Sequence, residues 1–181
     1  MNATHIHLLL NHFPIIGLLV ATMLLIWAVV RKNVSLQKTA SVIIILMALI
    51  AIPVFLTGEP AEESVENLPG VSEQIIEEHE DAAKFALILM ELTAVTAVGA
   101  LVIAKNKEAV AQKLLYGVAV LSVVTCVAMA RTGYLGGQIR HTEIRTGVNQ
   151  APGIQQGENG TAPQQENGKE NGKDDDDDDN K

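Results

Sequence analysis

Residues Phe13 to Val30 read FPIIGLLVATMLLIWAVV, eighteen positions without a charged side chain. The run approaches the roughly 20 apolar residues that cross the hydrocarbon core of a bilayer, and it lacks the polar stripe by which a helix on a soluble protein faces water. Three more stretches share its character: Thr39 to Thr57, Phe85 to Ala104 and Leu114 to Ala130. Glu91 is the one charged side chain inside any of them. With 48% hydrophobic residues in a chain of 181, gathered into blocks instead of periodic stripes, the composition points away from a soluble domain. The expected fold is all-α, an integral membrane four-helix bundle over residues 1–146, with spans of roughly 12–31, 38–57, 79–104 and 110–132.

The first run is expected to be a retained span and not a cleaved leader, because no Lys or Arg precedes Phe13 whereas Arg31 and Lys32 follow Val30 directly. The segment from Arg31 to Lys38 holds three basic residues, Lys105 to Lys113 holds three, and the long Gly58 to Asp81 connection holds none. Basic residues concentrate in cytoplasmic loops, so the two short turns are placed in the cytoplasm and both termini on the periplasmic side of an inner membrane. Short turns also force the helices they join to lie antiparallel, as two helical hairpins. Gly17, Ala21, Ala48, Ala51, Ala86, Thr93, Ala97, Gly117 and Ala128 are small enough to let helices approach one another closely.

From residue 147 the character changes. Gln, Asn, Gly, Glu and Pro dominate, a Glu-Asn-Gly-Lys tetrad occurs twice between Glu166 and Lys173, and the run Asp174 to Asp179 follows. Residues 147–181 are therefore expected to form a disordered acidic tail, with too little apolar surface to fold. Nine acidic against three basic residues from Val148 onward give this tail −6 of the formal −8, so the net charge says little about the membrane domain. The single Cys126 lies in the fourth run, where it has no partner for an internal disulfide, and the C-x-x-C-H of covalent haem attachment is absent from the sequence.

The chemistry-bearing residues are five histidines: His5, His7, His12, His79 and His141. Helices one and three begin on the outer side and helix four ends there, so residues far apart in sequence converge at one level. Imidazole is the commonest side-chain ligand for haem iron and for many other metals, and a bundle end supplies ligands from facing helices. On a continuous helix His5 and His12 share a stripe about 10 Å apart while His7 points elsewhere. Pro14 leaves two arrangements open: a helix starting near Asn11 as N-cap, with His7 on a separate outer segment, or one long kinked helix. His12 and His79, on different helices, are the first candidate pair.

Two metal motifs are absent. The zinc-protease pattern H-E-x-x-H has alanine, Ala83, where the second histidine is needed after His79-Glu80, and the di-iron pattern Glu-x-x-His has Ile76 in place of the glutamate. Histidine-dominated ligation remains, which suits a b-type haem or a copper, zinc or iron ion. Arg131 and Arg140 are placed where haem propionates would lie, since guanidinium pairs well with carboxylates. The acidic stretch from Glu59 to Asp81 could attract a cation or a basic soluble partner through its field. Glu91 lies ~18 Å along its helix from His79 and is a candidate proton relay, because intramembrane carboxylates are costly to keep.

The run His7-Leu-Leu-Leu-Asn-His12-Phe13-Pro14-Ile-Ile-Gly17, the acidic start His79-Glu80 and the pair Gly136-Gly137 resemble an uncharacterised family of bacterial four-span membrane proteins, a domain of unknown function. That family's first helix typically opens His-Pro, three residues, then His-Phe-Pro; here Leu8 replaces the first proline. Haem or metal binding is suspected in the family. The resemblance implies that His7, His12 and His79 are the functional positions, with His141 next.

Two functions follow as expectations. One is electron transfer through His-ligated b-type haem near the periplasmic face, with quinol, a soluble cytochrome or a respiratory complex as partner. The other is a non-redox metal-binding protein or an accessory subunit of a membrane complex. Beyond the lipid bilayer and such partners, neither a nucleic-acid patch nor a nucleotide loop nor an activated nucleophile argues for an enzyme or a nucleic-acid binder.

Overall fold

The computed structural model describes residues 3–141. Their order is α1 (Ala3–Leu10), α2 (His12–Val30), α3 (Val34–Leu56), α4 (Gly58–Glu63), α5 (Glu73–Ile103) and α6 (Glu108–Arg140), with no strand among the described residues. They belong to a unit Met1–Thr146; the unit Gly147–Lys181, on which the expected acidic tail falls, lies outside the described residues.

The long helices α2, α3, α5 and α6 make the bundle. α2 pairs with α3 and α5 with α6, as the two expected hairpins, and contacts of α3 with α5 and of α2 with α6 close the ring. The seam is written in the spacing of the buried residues. On α2 the seam runs Pro14, Leu18, Ala21, Leu25 and Ala28, with Thr22 buried beside it, and on α6 it runs Ala111, Leu115, Val118, Ser122, Thr125 and Met129, alternating steps of four and three. A mean step near 3.5 keeps one stripe on the bundle axis and favours left-handed packing at about 20°. Alanines dominate the facing stripes, Ala40, Ala48 and Ala51 on α3 and Ala86, Ala94, Ala97 and Ala100 on α5, so backbones come close and Leu18, Leu25, Ile44, Met90 and Val118 fill what is left.

The opposite faces are equally apolar. Leu19, Met23 and Ile26 on α2, Ile88, Leu92 and Val95 on α5 and Val120 and Val127 on α6 all point outward. A soluble monomer rarely exposes a contiguous patch beyond a few hundred Å². Four segments, Thr4–Val30, Val34–Leu56, Glu73–Ile103 and Glu108–Ile139, are each long and apolar enough to cross a membrane. Polar groups in the interior are satisfied locally: Thr93 and Thr125 meet each other at 3.0 Å, one hydroxyl donating to the other while the acceptor donates to its own carbonyl one turn back, Leu89 or Leu121, and Thr22 Oγ1 lies 3.5 Å from Cys126 Sγ. Cys126 is thus a packing residue.

The α2–α3 turn shows why the chain reverses at its basic segment. Lys32 adopts φ 53°, its N–H reaches the Val29 carbonyl and the Asn33 N–H reaches the Ala28 carbonyl, a Schellman closure with lysine where glycine is usual. Asn33 then caps α3 by accepting from the Leu36 N–H at 3.0 Å. Arg31 lies 5.6 Å above the Trp27 ring, an aromatic and a cation placed together as at a membrane interface.

Several expected boundaries shift. α5 begins at Glu73 and α6 continues to Arg140, because the apolar run marks only what sits in hydrocarbon; 31 residues of helix rise ~46 Å against a core of ~30 Å. Gly136 and Gly137 do not end α6, since neither takes a positive φ. Asn11 is not an N-cap: it is helical at φ −59°, makes no side-chain cap bond, and its N–H still bonds the His7 carbonyl. The interruption comes from Pro14, whose ring denies a donor to the Leu10 carbonyl one turn back. Gly117 has open space where a β-carbon would stand and faces outward, so it is not a helix-contact residue.

Candidate functional site

The end of the bundle opposite the basic turns carries the histidines. There α1 packs against the short helix α4 and the end of α3, and Thr4 Oγ1 meets Ser64 Oγ at 3.0 Å, which roofs part of the bundle mouth. α3 runs through Pro53 to end at Leu56, where the Thr57 N–H still bonds the Pro53 carbonyl at 3.1 Å. Side chains add to the bonding of its last turn. Thr57 Oγ1 lies 2.9 Å from the Pro53 carbonyl and 3.0 Å from that of Val54, and His7 Nδ1 is 2.9 Å from the Val54 oxygen.

His79 makes the matching contact on the other side. Its Nδ1 is 3.0 Å from the Thr132 carbonyl of α6. A carbonyl oxygen only accepts, so in both residues Nδ1 is the donor and Nε2 is the nitrogen left for another partner. The approach is possible because residue 136 is glycine: a β-carbon there would stand 2.9 Å from His79 Cε1 and 3.3 Å from Nδ1. Gly58 likewise borders His7, at 3.8 Å from Cε1 to a β-carbon. Both rings are half-buried. His7 and His79 are thus anchored in the same way at the same end of the bundle, each on a backbone carbonyl of another helix.

The other expected residues are distributed differently. His12 opens α2 with its side chain exposed, and His5 and His141 are exposed on α1 and just after α6. Arg131 is one residue round α6 from the Thr132 carbonyl and faces outward into a groove with Glu78 and Asp81. Arg140 ends α6, and its side chain lies outside the described residues. Glu91 sits farther down α5, half-buried, with Oε1 enclosed and no hydrogen-bond partner. Among the described residues no three His, Cys, Asp or Glu side chains come together to hold a metal ion.

Thr132 and the Val54 carbonyl were not among the residues singled out by sequence, and Gly136 was noted only within the Gly136-Gly137 motif, not for its place beside His79. Gly136 carried the one usable signal, a glycine inside a helix, which costs about 1 kcal/mol relative to alanine unless something needs the space. The backbone carbonyls carry none.

The protein is a four-span α-helical membrane protein whose outer surface contacts lipid. It belongs to the family described as predicted membrane protein (DUF2231), whose model matches residues 3–149, nearly the whole bundle. No curated protein and no solved structure matches the chain.

Proposed function

We propose that the histidine end of the bundle is a two-histidine site for a b-type haem, and that the protein transfers electrons near the periplasmic face of a bacterial inner membrane. The observation that carries this reading is the shared state of His7 and His79. Each ring is anchored through Nδ1 to a backbone carbonyl on another helix, which fixes its tautomer and leaves Nε2 as the ligating nitrogen. Two such imidazoles are the donor set of bis-histidine haem. A bare copper or zinc ion would require three or four ligands, and the described residues gather no such set.

Haem bound here would supply one-electron chemistry. The chain's own part is to hold two imidazoles in fixed orientations, to admit the His79 ring beside Gly136, and to limit water by roofing the mouth with α1 and α4. Quinol or a respiratory complex is the proposed donor, and a basic soluble cytochrome drawn by the acidic residues Glu59 to Asp81 the proposed acceptor.

Optical spectra of the detergent-purified protein, oxidised and dithionite-reduced, test the reading. Reduced b-type bands should appear in the wild type and in His12→Ala, and vanish in His7→Ala and His79→Ala. A featureless spectrum from protein produced with ample haem sinks the haem reading and leaves the accessory, non-redox role.

A further inference from the structure

Outside the bundle seam, side chains of α5 and α6 border an open groove of about 560 Å³ on the outer surface. Its walls are apolar, with Phe85 from α5 and Val124 and Val127 from α6, and its upper rim is charged, with Glu78, Asp81 and Arg131. The order of these residues matches the layers of a bilayer. From Arg131 to Val124 is ~10 Å along α6, the distance from a headgroup region into acyl chains.

The rim charges are incompletely used. Among the described residues the ion pairs are Lys84 with Glu80 at 2.9 Å and, loosely, Lys84 with Asp81 at 3.9 Å; Arg131 makes none. Glu78 accepts from Gln74 Nε2 at 3.0 Å through Oε1 alone. A guanidinium without a carboxylate thus stands on one side of the groove, and two carboxylates with spare acceptor capacity on the other. A headgroup bearing only a negative charge would satisfy Arg131 and be repelled by Glu78 and Asp81. An uncharged quinone ring would leave all three unpaired.

The geometry points to a bound aminophospholipid of the phosphatidylethanolamine type: its phosphate on Arg131, its primary ammonium on Glu78 and Asp81, and an acyl chain along Phe85, Val124 and Val127. The primary ammonium is decisive, because it donates hydrogen bonds that a quaternary ammonium lacks. This occupancy is independent of what the histidines hold.

The test is lipid retention by the full chain in mild detergent, read by native mass spectrometry after equilibration with equimolar phosphatidylethanolamine, phosphatidylcholine and phosphatidylglycerol of matched chains, together with a ubiquinone. The wild type should retain the ethanolamine lipid several-fold above the other three. Stepwise N-methylation of its headgroup should abolish the preference without any change in the protein. Arg131→Gln and Glu78→Gln, both at exposed positions, should fall to the choline level while keeping wild-type circular dichroism. Equal retention of all lipids, selective retention of the quinone, or wild-type preference surviving in both variants would overturn the proposal.

Discussion

The missing side chain of Gly136 on α6 is what admits the imidazole of His79 on α5: a β-carbon at one would stand 2.9 Å from Cε1 of the other. Contacts this short do not persist, and neither a helix backbone nor a ring held at 3.0 Å from the Thr132 carbonyl can move without loss. Gly136→Ala should therefore cost about 1–3 kcal/mol as an overpacked contact, although alanine is the better helix former. Thermal unfolding in detergent measures it. A variant as stable as wild type contradicts the packing described.

On α1, His7 closes the end of α3. His7→Phe keeps much of the volume but strands the Val54 carbonyl, which then has only Thr57 Oγ1 as a side-chain donor. A destabilisation of about 1 kcal/mol is expected, the net worth of one hydrogen bond. His7→Gln retains a donor and should recover part of it. Stability unaffected by both changes would remove His7 from the helix end.

The opposite end of the bundle carries strain of its own. Lys32 holds φ 53° in the α2–α3 turn, a conformation that costs a residue with a β-carbon about 1 kcal/mol. Lys32→Gly should raise stability by somewhat less, because glycine has more freedom to lose. Lys32→Val should lower it. Equilibrium unfolding of the pair decides; the same sign for both would mean the turn relaxes out of the Schellman geometry.

Within the bundle, the Thr93–Thr125 contact is a modest clasp. Each hydroxyl has one proton and a carbonyl within reach one turn back, so one donates across the contact, and Thr93→Val leaves Thr125 free to donate to Leu121. A double-mutant cycle with Thr125→Val should give a coupling of about 0.6 kcal/mol, the usual size of an interhelical hydrogen bond in a membrane. A coupling several times larger would reveal a polar network that the packing does not contain.

The α1–α4 roof should respond to pH through Glu62. Partial burial pushes its carboxyl above the usual range, and the neighbouring Glu80, Glu66, Glu59 and Glu77 push it further in the same direction. A folded-state pKa above the unfolded value means that folding favours the protonated form. The stabilisation is full below the ordinary carboxylate pKa of about 4.3 and is lost as pH rises through the raised value. Hydrogen exchange in α1 and α4 should therefore slow, relative to intrinsic rates, on acidification from neutral. Glu62→Gln should flatten this dependence and protect the roof at pH 7, by less than ~1 kcal/mol because the group is largely solvated. Identical pH profiles for the two proteins would assign the effect elsewhere.

Sequence alone determined that this chain makes four membrane helices in two hairpins, because spanning a bilayer depends on the length of an apolar run, and that is a local property readable from Phe13 to Val30. It also placed histidines at one end, since that follows from the direction of each span. The extents of α5 and α6 were less legible: helix continues past the hydrocarbon boundary wherever packing supports it, and the apolar run marks only the boundary. Tertiary structure alone decided that His7 and His79 each bond a backbone carbonyl of another helix while the His12 side chain is exposed. That choice depends on the interruption Pro14 makes between α1 and α2, on where α3 ends, and on the depth at which α6 lies beside α5. The partners that orient both rings are backbone carbonyls, which every residue possesses, so no residue type announces them; only the fold brings Val54 and Thr132 within reach.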